Sequence, residues 1–168
     1  MYMKTLILVG MMGVGKSFAG KIIAQKLLCD FYDLDNEIEK DEKLSISEIF
    51  KIHGDNYFRE KEFQVLKKIY KPEGLVIALG GGAFINTDIR EMLINSANVV
   101  YLEASPQTIF NRIKDNNDRP LLENRMNIET IEQIINSRKE KYKLAHYTII
   151  TDNKNIEDVV GEILKCVY

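Results

Sequence analysis

Short apolar runs recur along the chain at residues 5–9, 31–34, 75–79, 99–102 and 147–150. They are continuous rather than alternating, and too short for exposed helices, which suits strands buried on both faces of a sheet. Each is separated from the next by at least one helix-sized segment, and several of these carry apolar residues at helical spacing. Ile22, Ile23, Ala24, Leu27 and Leu28 follow the first run, and Ile109, Phe110 and Ile113 follow the fourth. Ile128, Ile131, Ile134 and Ile135 mark a helix over about 127–145, and Ile156, Val159, Val160, Ile163 and Leu164 mark a closing one. Strands joined by crossovers of this size pair in parallel. With no internal repeat or low-complexity linker, the pattern predicts one α/β domain spanning residues 1–168.

Polar residues punctuate this pattern. Ser45-Ile46-Ser47-Glu48 forms a capping box that opens a mostly helical region over 41–70, and Ser105-Pro106 places an N-cap before a proline at the first helical position. Gly54 ends the first helix of that region, and a second starts near Tyr57 with Phe63, Leu66 and Ile69 facing inward. The run Asp115-Asn116-Asn117-Asp118-Arg119-Pro120 breaks the fourth crossover and reads as a lid over about 115–126, with Arg119 and Arg125 bringing positive charge over bound phosphates; an ordinary surface loop is the alternative.

The composition adds mainly exclusions. A chain of 168 residues, 45% hydrophobic and 29% charged, buries a full core without metal or disulfide staples. A net charge of −2 carries no footprint for nucleic acid or an anionic membrane. No apolar run is long enough to span a bilayer, and the five apolar residues at the start run directly into a glycine-rich turn rather than a cleavage site. The expected protein is cytoplasmic and monomeric, with Cys29 and Cys166 as reduced core residues on apolar helix faces. His53 and His146 stand apart and fit no metal or catalytic spacing, so both are read as structural.

The candidate chemistry begins at that turn. Gly10-Met11-Met12-Gly13-Val14-Gly15-Lys16-Ser17 has the spacing of a phosphate-binding P-loop and lies between a predicted strand and helix, the context the motif requires. Glycines let the backbone wrap phosphate oxygens, the helix N-terminus directs free N–H groups at them, Lys16 reaches the β- and γ-phosphates, and the Ser17 hydroxyl ligates Mg²⁺. The expected ligand is therefore ATP or another nucleoside triphosphate. The second strand ends in Asp33-Leu34-Asp35, acids that point the same way on an extended chain, at the sheet edge where ligands of parallel sheets bind. A helix cap is the other reading of Asp35.

The third strand ends in Gly80-Gly81-Gly82. A tight turn needs one glycine, so three point to backbone lying against a ligand. No acid closes this strand, which leaves Asp33 as the residue to hold Mg²⁺ and its waters. Arg59 follows Phe58 at the edge of a buried helix face; it either pairs with Glu62 at i,i+3 or clamps a substrate, and spacing does not choose between them. Arg138 and Tyr142 lie one turn apart, and Thr151-Asp152-Asn153 after the last strand is placed to flank a nucleotide base.

Taken together, these residues resemble the shikimate kinase family, within the P-loop class that includes nucleoside-monophosphate kinases. The resemblance runs over the P-loop, Asp33-x-Asp35, Phe58-Arg59-x-x-Glu62, Gly80-Gly81-Gly82-Ala83, Arg119-Pro120-Leu121-Leu122 and Arg138-x3-Tyr142-x2-Ala145. It implies a three-layer fold with a five-stranded parallel sheet in the order 2-3-1-4-5, an acceptor region over about 36–63, and transfer of the ATP γ-phosphoryl group to the 3-hydroxyl of shikimate. It further implies that Asp35 holds the attacking hydroxyl, that Arg59 and Arg138 bind the shikimate carboxylate, and that Gly80, Gly81 and Gly82 line the ring. By the same resemblance Arg119 covers the transferring phosphate, Arg112 lies against the adenine, and Gly13, Val14, Gly15, Lys16, Ser17, Phe18 and Asn153 contact the nucleotide, with Mg²⁺ at Ser17 and Asp33. Leu79 departs from the small hydroxylated residue many relatives carry before the triple glycine, which removes one possible support for the metal. Gluconate kinase, another small-molecule P-loop kinase, or a nucleotide-binding module without turnover are the competing readings.

Overall fold

The computed structural model describes residues 3–114 and 127–168. The predicted lid over 115–126, with Arg119 and Arg125, lies outside the described residues. Five strands, β1 (Leu6–Val9), β2 (Asp30–Asp33), β3 (Leu75–Ala78), β4 (Asn98–Glu103) and β5 (Tyr147–Ile150), form one sheet in the order β2-β3-β1-β4-β5. Every pairing is parallel, with Leu6 opposite Val76 on one side and Asn98 on the other. This is the expected topology.

Alternation along the strands divides the core in two. Ile7, Val9, Ile77, Val99 and Tyr101 pack on one face, beneath helices α3 (Ile46–Ile69) and α4 (Thr87–Ser96). Leu6, Leu8, Val76, Val100 and Leu102 pack on the other, against α1 (Lys16–Leu27), α5 (Pro106–Ile113), α6 (Ile128–Tyr142) and α7 (Ile156–Val167). The result is three layers. Among the described residues no helix is long and apolar enough to cross a membrane.

The capping signals act as expected: Ser45 and Glu48 cap each other reciprocally, and Ser105 caps α5 with Pro106 in its first turn. At Gly54 the chain leaves helical geometry (φ 82°, ψ 179°), so 46–69 is two helices meeting at a kink, with Gly54 ending the first as the sequence predicts. His146 is structural as read, its Nδ1 accepting from the Val99 N–H at 3.0 Å, and His53 stacks on Tyr57 with ring centroids 4.4 Å apart.

Two expectations are corrected. Asp33 and Asp35 do not share a strand: β2 stops at Asp33, whose carboxylate caps an additional helix, α2 (Leu34–Glu42), by accepting from the Asn36 N–H. The cap is thus Asp33, and Asp35 stands in the helix's first turn, where its charge is favoured by the N-terminal dipole. The cysteines are not core residues, since Cys29 is half-buried in the turn after α1 and Cys166 is exposed in the last turn of α7; both are free thiols.

Candidate active site

The phosphate loop follows from the strand-to-helix transition. Gly15 caps α1 with no side chain and φ 104°, and a β-carbon there would meet nothing within 4 Å. Among the described residues no side chain caps the first N–H groups of α1, as an anion site requires. Lys16 is buried, and its Nζ donates to the carbonyls of Gly10 at 2.9 Å and Met11 at 3.0 Å. Its ammonium is thus held over the loop that phosphates would occupy. Ser17 donates its hydroxyl to the Asp33 carboxylate, so the two residues expected at a metal converge from α1 and the end of β2. Arg112 braces this loop from α5, donating to the Val14 carbonyl and to the hydroxyl and carbonyl of Thr151, each at 3.1 Å. Nearby Asn153 adopts φ 56°, and the Asp152 carboxylate accepts from the Ser105 hydroxyl at 2.7 Å, docking the segment after β5 onto the start of α5. Phe18 is 60% exposed on the outer side of α1.

The acceptor side is organised by the triple glycine, and the reason for it is close approach rather than backbone conformation. A β-carbon on Gly80 would lie 2.5 Å from Asp35 Oδ1 and 3.1 Å from Glu62 Oε1. One on Gly82 would lie 2.5 Å from Arg59 Nη1, and one on Gly81 would touch Arg138 Nη1 at 3.6 Å. Asp35 and Glu62 therefore rest directly on Gly80 and Arg59 on Gly82, while the contact of Arg138 with Gly81 is an ordinary one. Ser17, Asp33, Asp35, Arg59, Glu62 and Arg138 line one cavity of about 850 Å³, with Glu39 of α2 and Phe50 and Phe58 of α3 also on its wall.

Arg59 forms the predicted pair with Glu62 and also lines the cavity. Its guanidinium pairs with Glu62 at 2.6 Å and Asp55 at 3.3 Å, stacks over Phe58 at 5.1 Å, and still lines the cavity. Burial works against its charge, but Glu62 and Asp55 outweigh it and its pKa is raised. Arg138 donates Nη1 to the Gly81 carbonyl at 3.0 Å, and Tyr142, one turn later, donates its hydroxyl to the same oxygen. The spacing-based reading missed Arg90, buried on α4, which donates to the carbonyls of Phe84 at 3.1 Å and Ile85 at 2.9 Å and so pins the 3-10 turn (Ala83–Ile85) that follows the glycines. Its placement between Ile89 and Leu93 was the available signal.

Glu62 is the least expected group. It is 1% exposed, and among the described residues its Oε1 has no hydrogen-bond partner. Burial pushes its pKa up to about 7, against the pull of Arg59 and with a further push from Asp35. A carboxyl with a raised folded pKa binds more protons folded than unfolded, so its stabilising contribution is complete below its unfolded value and is lost as pH rises through about 7. Glu62→Gln removes that titration. The variant should gain stability over the unmodified chain between about pH 4.5 and about pH 8, by up to about 3 kcal/mol in urea unfolding. A difference independent of pH would show that Glu62 stays ionised throughout.

A parallel 2-3-1-4-5 sheet carrying a phosphate loop, an acid beside it and a two-arginine pocket defines a P-loop kinase that acts on a small anionic acceptor. Residues 12–168 match the family model described as shikimate kinase. A shikimate kinase of Sulfurihydrogenibium sp. is 42% identical over 162 residues, covering 96% of each chain, and one of Caldicellulosiruptor saccharolyticus is 41% identical over 150 residues, covering 89% of this chain and 87% of its own. The solved shikimate kinase of Acinetobacter baumannii, in complex with shikimate, superposes with a TM-score of 0.90 at 34% identity over 97% of this chain and 92% of its own. The chain belongs to the shikimate kinase family, ATP-dependent kinases that phosphorylate an alcohol group.

Proposed function

We propose that this chain transfers the γ-phosphoryl group of ATP to the 3-hydroxyl of shikimate, giving shikimate 3-phosphate and ADP for aromatic amino-acid synthesis in the cytoplasm. The observation that carries the acceptor assignment is the convergence of Asp35, Arg59 and Arg138 on Gly80–Gly82, in the cavity that also holds Ser17 and Asp33. An acid and two guanidiniums on one side of a small pocket suit a substrate with a hydroxyl at one end and a carboxylate at the other. Planar arginine forks read a carboxylate directionally, which favours a cyclic hydroxy acid over a flexible polyol acid or a nucleotide.

In this reading the acceptor hydroxyl lies against Asp35, which orients it and accepts its proton as the oxygen attacks the γ-phosphorus. A new O–P bond forms, the bond from the γ-phosphorus to the bridging oxygen breaks, and ADP leaves with that electron pair. Lys16 swings from the Gly10 and Met11 carbonyls to the phosphates, and the α1 N-terminus holds them in line. The hard oxygen donors of Ser17 and Asp33 fit Mg²⁺, which takes one or two protein oxygens and completes its shell with water and phosphate. When bound, Mg²⁺ neutralises charge on the β- and γ-phosphates. Arg119 is assigned to the transferring phosphate on sequence resemblance alone.

The test is ADP release with ATP and Mg²⁺, offering shikimate, gluconate and AMP separately. Turnover with shikimate only is the expected result. Turnover with gluconate or AMP instead would discard the acceptor assignments and keep the phosphate site, and ATP binding without turnover on any acceptor would indicate a nucleotide-binding module.

A further inference from the structure

Glu62 stands in the cavity wall with one oxygen used and one unused. Oε2 accepts from Arg59 Nη1 at 2.6 Å, while the buried Oε1 has no hydrogen-bond partner among the described residues. Oε1 is turned to Gly80, where a β-carbon would lie 3.1 Å from it and 2.5 Å from Asp35 Oδ1, so two carboxylates crowd one glycine. The charged and titratable groups around Glu62 are Arg59 and Asp55 on α3, Asp35 on α2, and Tyr142 and Arg138 on α6; the glycine loop adds none. Asp55 is largely exposed, so water screens its charge, and Tyr142, its pKa raised by burial, stays neutral. Inside the cavity Asp35 and Glu62 are thus balanced by Arg59 and Arg138.

A substrate carboxylate laid on the two arginines upsets that balance by one negative charge. The excess falls on the group least able to bear it. Glu62 is 1% exposed, and burial has already pushed its pKa up to about 7 against the pull of Arg59, with a smaller push from Asp35 and Asp55. A second carboxylate on Arg59 weakens that pull, which moves the titration further up. Resting on the shikimate reading above, we infer that Glu62 takes up a proton when the substrate carboxylate binds: the proton sits on Oε1, turns a charge facing Asp35 into a donor, and leaves the charge of Arg59 to the substrate. Glu62 is in this sense a positioning residue for the carboxylate clamp, acting through Arg59. The sign is fixed by linkage: binding that takes up a proton weakens as pH rises. Well below pH 7 the proton is already in place and none is taken up.

Shikimate binding is measured by calorimetry without nucleotide, in two buffers of different ionisation heat, so that the difference counts protons. For a titration moved by about one pH unit on binding, about half a proton enters per shikimate near pH 7.5 and almost none near pH 5.5. The Kd for shikimate rises about sixfold between about pH 6.5 and about pH 8.5. An analogue without the carboxylate takes up no proton. Glu62→Gln, the neutral isostere of the protonated side chain, binds shikimate with no uptake and with a Kd independent of pH over that range. A purely structural Glu62 predicts another pattern: a Kd changed by one factor at every pH, and the same proton count in both chains. That pattern, or equal uptake with the analogue, overturns the inference. If Glu62→Gln does not fold, carboxyl carbon NMR of Glu62 in the unmodified chain decides. Shikimate should raise its titration by about one pH unit, and an unmoved titration overturns the inference. If the unmodified chain binds no shikimate, the acceptor assignment fails and this inference falls with it; binding without proton uptake sinks the inference alone.

Discussion

Asp35→Asn is expected to lower kcat for shikimate phosphorylation by about 10³-fold while KM for ATP stays within about twofold. The substitution keeps the size of the side chain and its place in the first turn of α2, against Gly80. It removes the only properties the proposed mechanism asks of Asp35: a charge that orients the acceptor hydroxyl and an oxygen that takes its proton. On the nucleotide side, Lys16 is held by the Gly10 and Met11 carbonyls, and Ser17 and Asp33 hold each other. The expected loss therefore falls on kcat, with ATP binding intact. A second readout checks that the variant is correctly built. Asp35 raises the pKa of Glu62 through charge repulsion, so its neutralisation should lower the Glu62 titration from about 7, as followed by carboxyl carbon NMR. A kcat within tenfold of the unmodified chain, with that lowered titration in place, would mean that positioning alone carries the step and that Asp35 is not the base.

The parts of this site that were legible in the sequence are those whose reasons are local. The phosphate loop declares itself through spacing and through the strand and helix on either side, and the capping box at Ser45 and the N-cap at Ser105 act over four residues. The apolar runs marked all five strands, with ends displaced by a residue or so. Helix α2 was not legible as such: Leu34-Asp35-Asn36-Glu37-Ile38-Glu39 offers only Leu34 and Ile38 to the core, too sparse a stripe to outweigh the extended reading of the two acids. What decides it is the Asp33 side chain turning back to cap the Asn36 N–H, a choice a strand pattern cannot show. The cysteines failed for a related reason. Periodicity placed Cys166 with the stripe of Val159, Val160 and Ile163, yet only those three are buried on α7 and Cys166 itself is exposed, although Leu164 and Val167 beside it pack on the core.

The triple glycine is an intermediate case. Its cost in chain entropy signals that something must approach closely, but the approaching groups come from α2, α3 and α6, separated in sequence by more than a hundred residues, and only the fold brings them together. Glu62 was visible as a partner for Arg59 and invisible as a nearly unexposed carboxyl with an unpartnered oxygen facing Asp35. That feature bears on Arg59, because an ionised Glu62 holds Arg59 Nη1 at 2.6 Å while the guanidinium still lines the cavity.

Arg59→Lys is accordingly expected to raise KM for shikimate roughly 30-fold, about 2 kcal/mol, the size of one lost charge-assisted hydrogen bond, with KM for ATP unchanged. Lysine is the informative replacement. It retains a positive charge beside Glu62 and Asp55, so neither carboxylate is stranded and the fold should persist, whereas alanine would leave Glu62 buried without its ion partner. What lysine lacks is the planar fork. The guanidinium can present Nη1 to Glu62 at 2.6 Å and Nη2 to Asp55 at 3.3 Å while its stack on Phe58 fixes the plane that faces the cavity. A single ammonium on a flexible stem must choose between Glu62 and the substrate, and burial of Glu62 favours the former. Because the acceptor would be held less firmly at the carboxylate end, kcat should also fall, by less than in Asp35→Asn. The decisive comparison is calorimetric binding of shikimate and of an analogue without its carboxylate to both chains. If Arg59 grips the carboxylate, the unmodified chain strongly prefers shikimate and the variant loses most of that preference; an equal preference in the two chains would confine Arg59 to its pairing with Glu62 and leave the carboxylate to Arg138 alone.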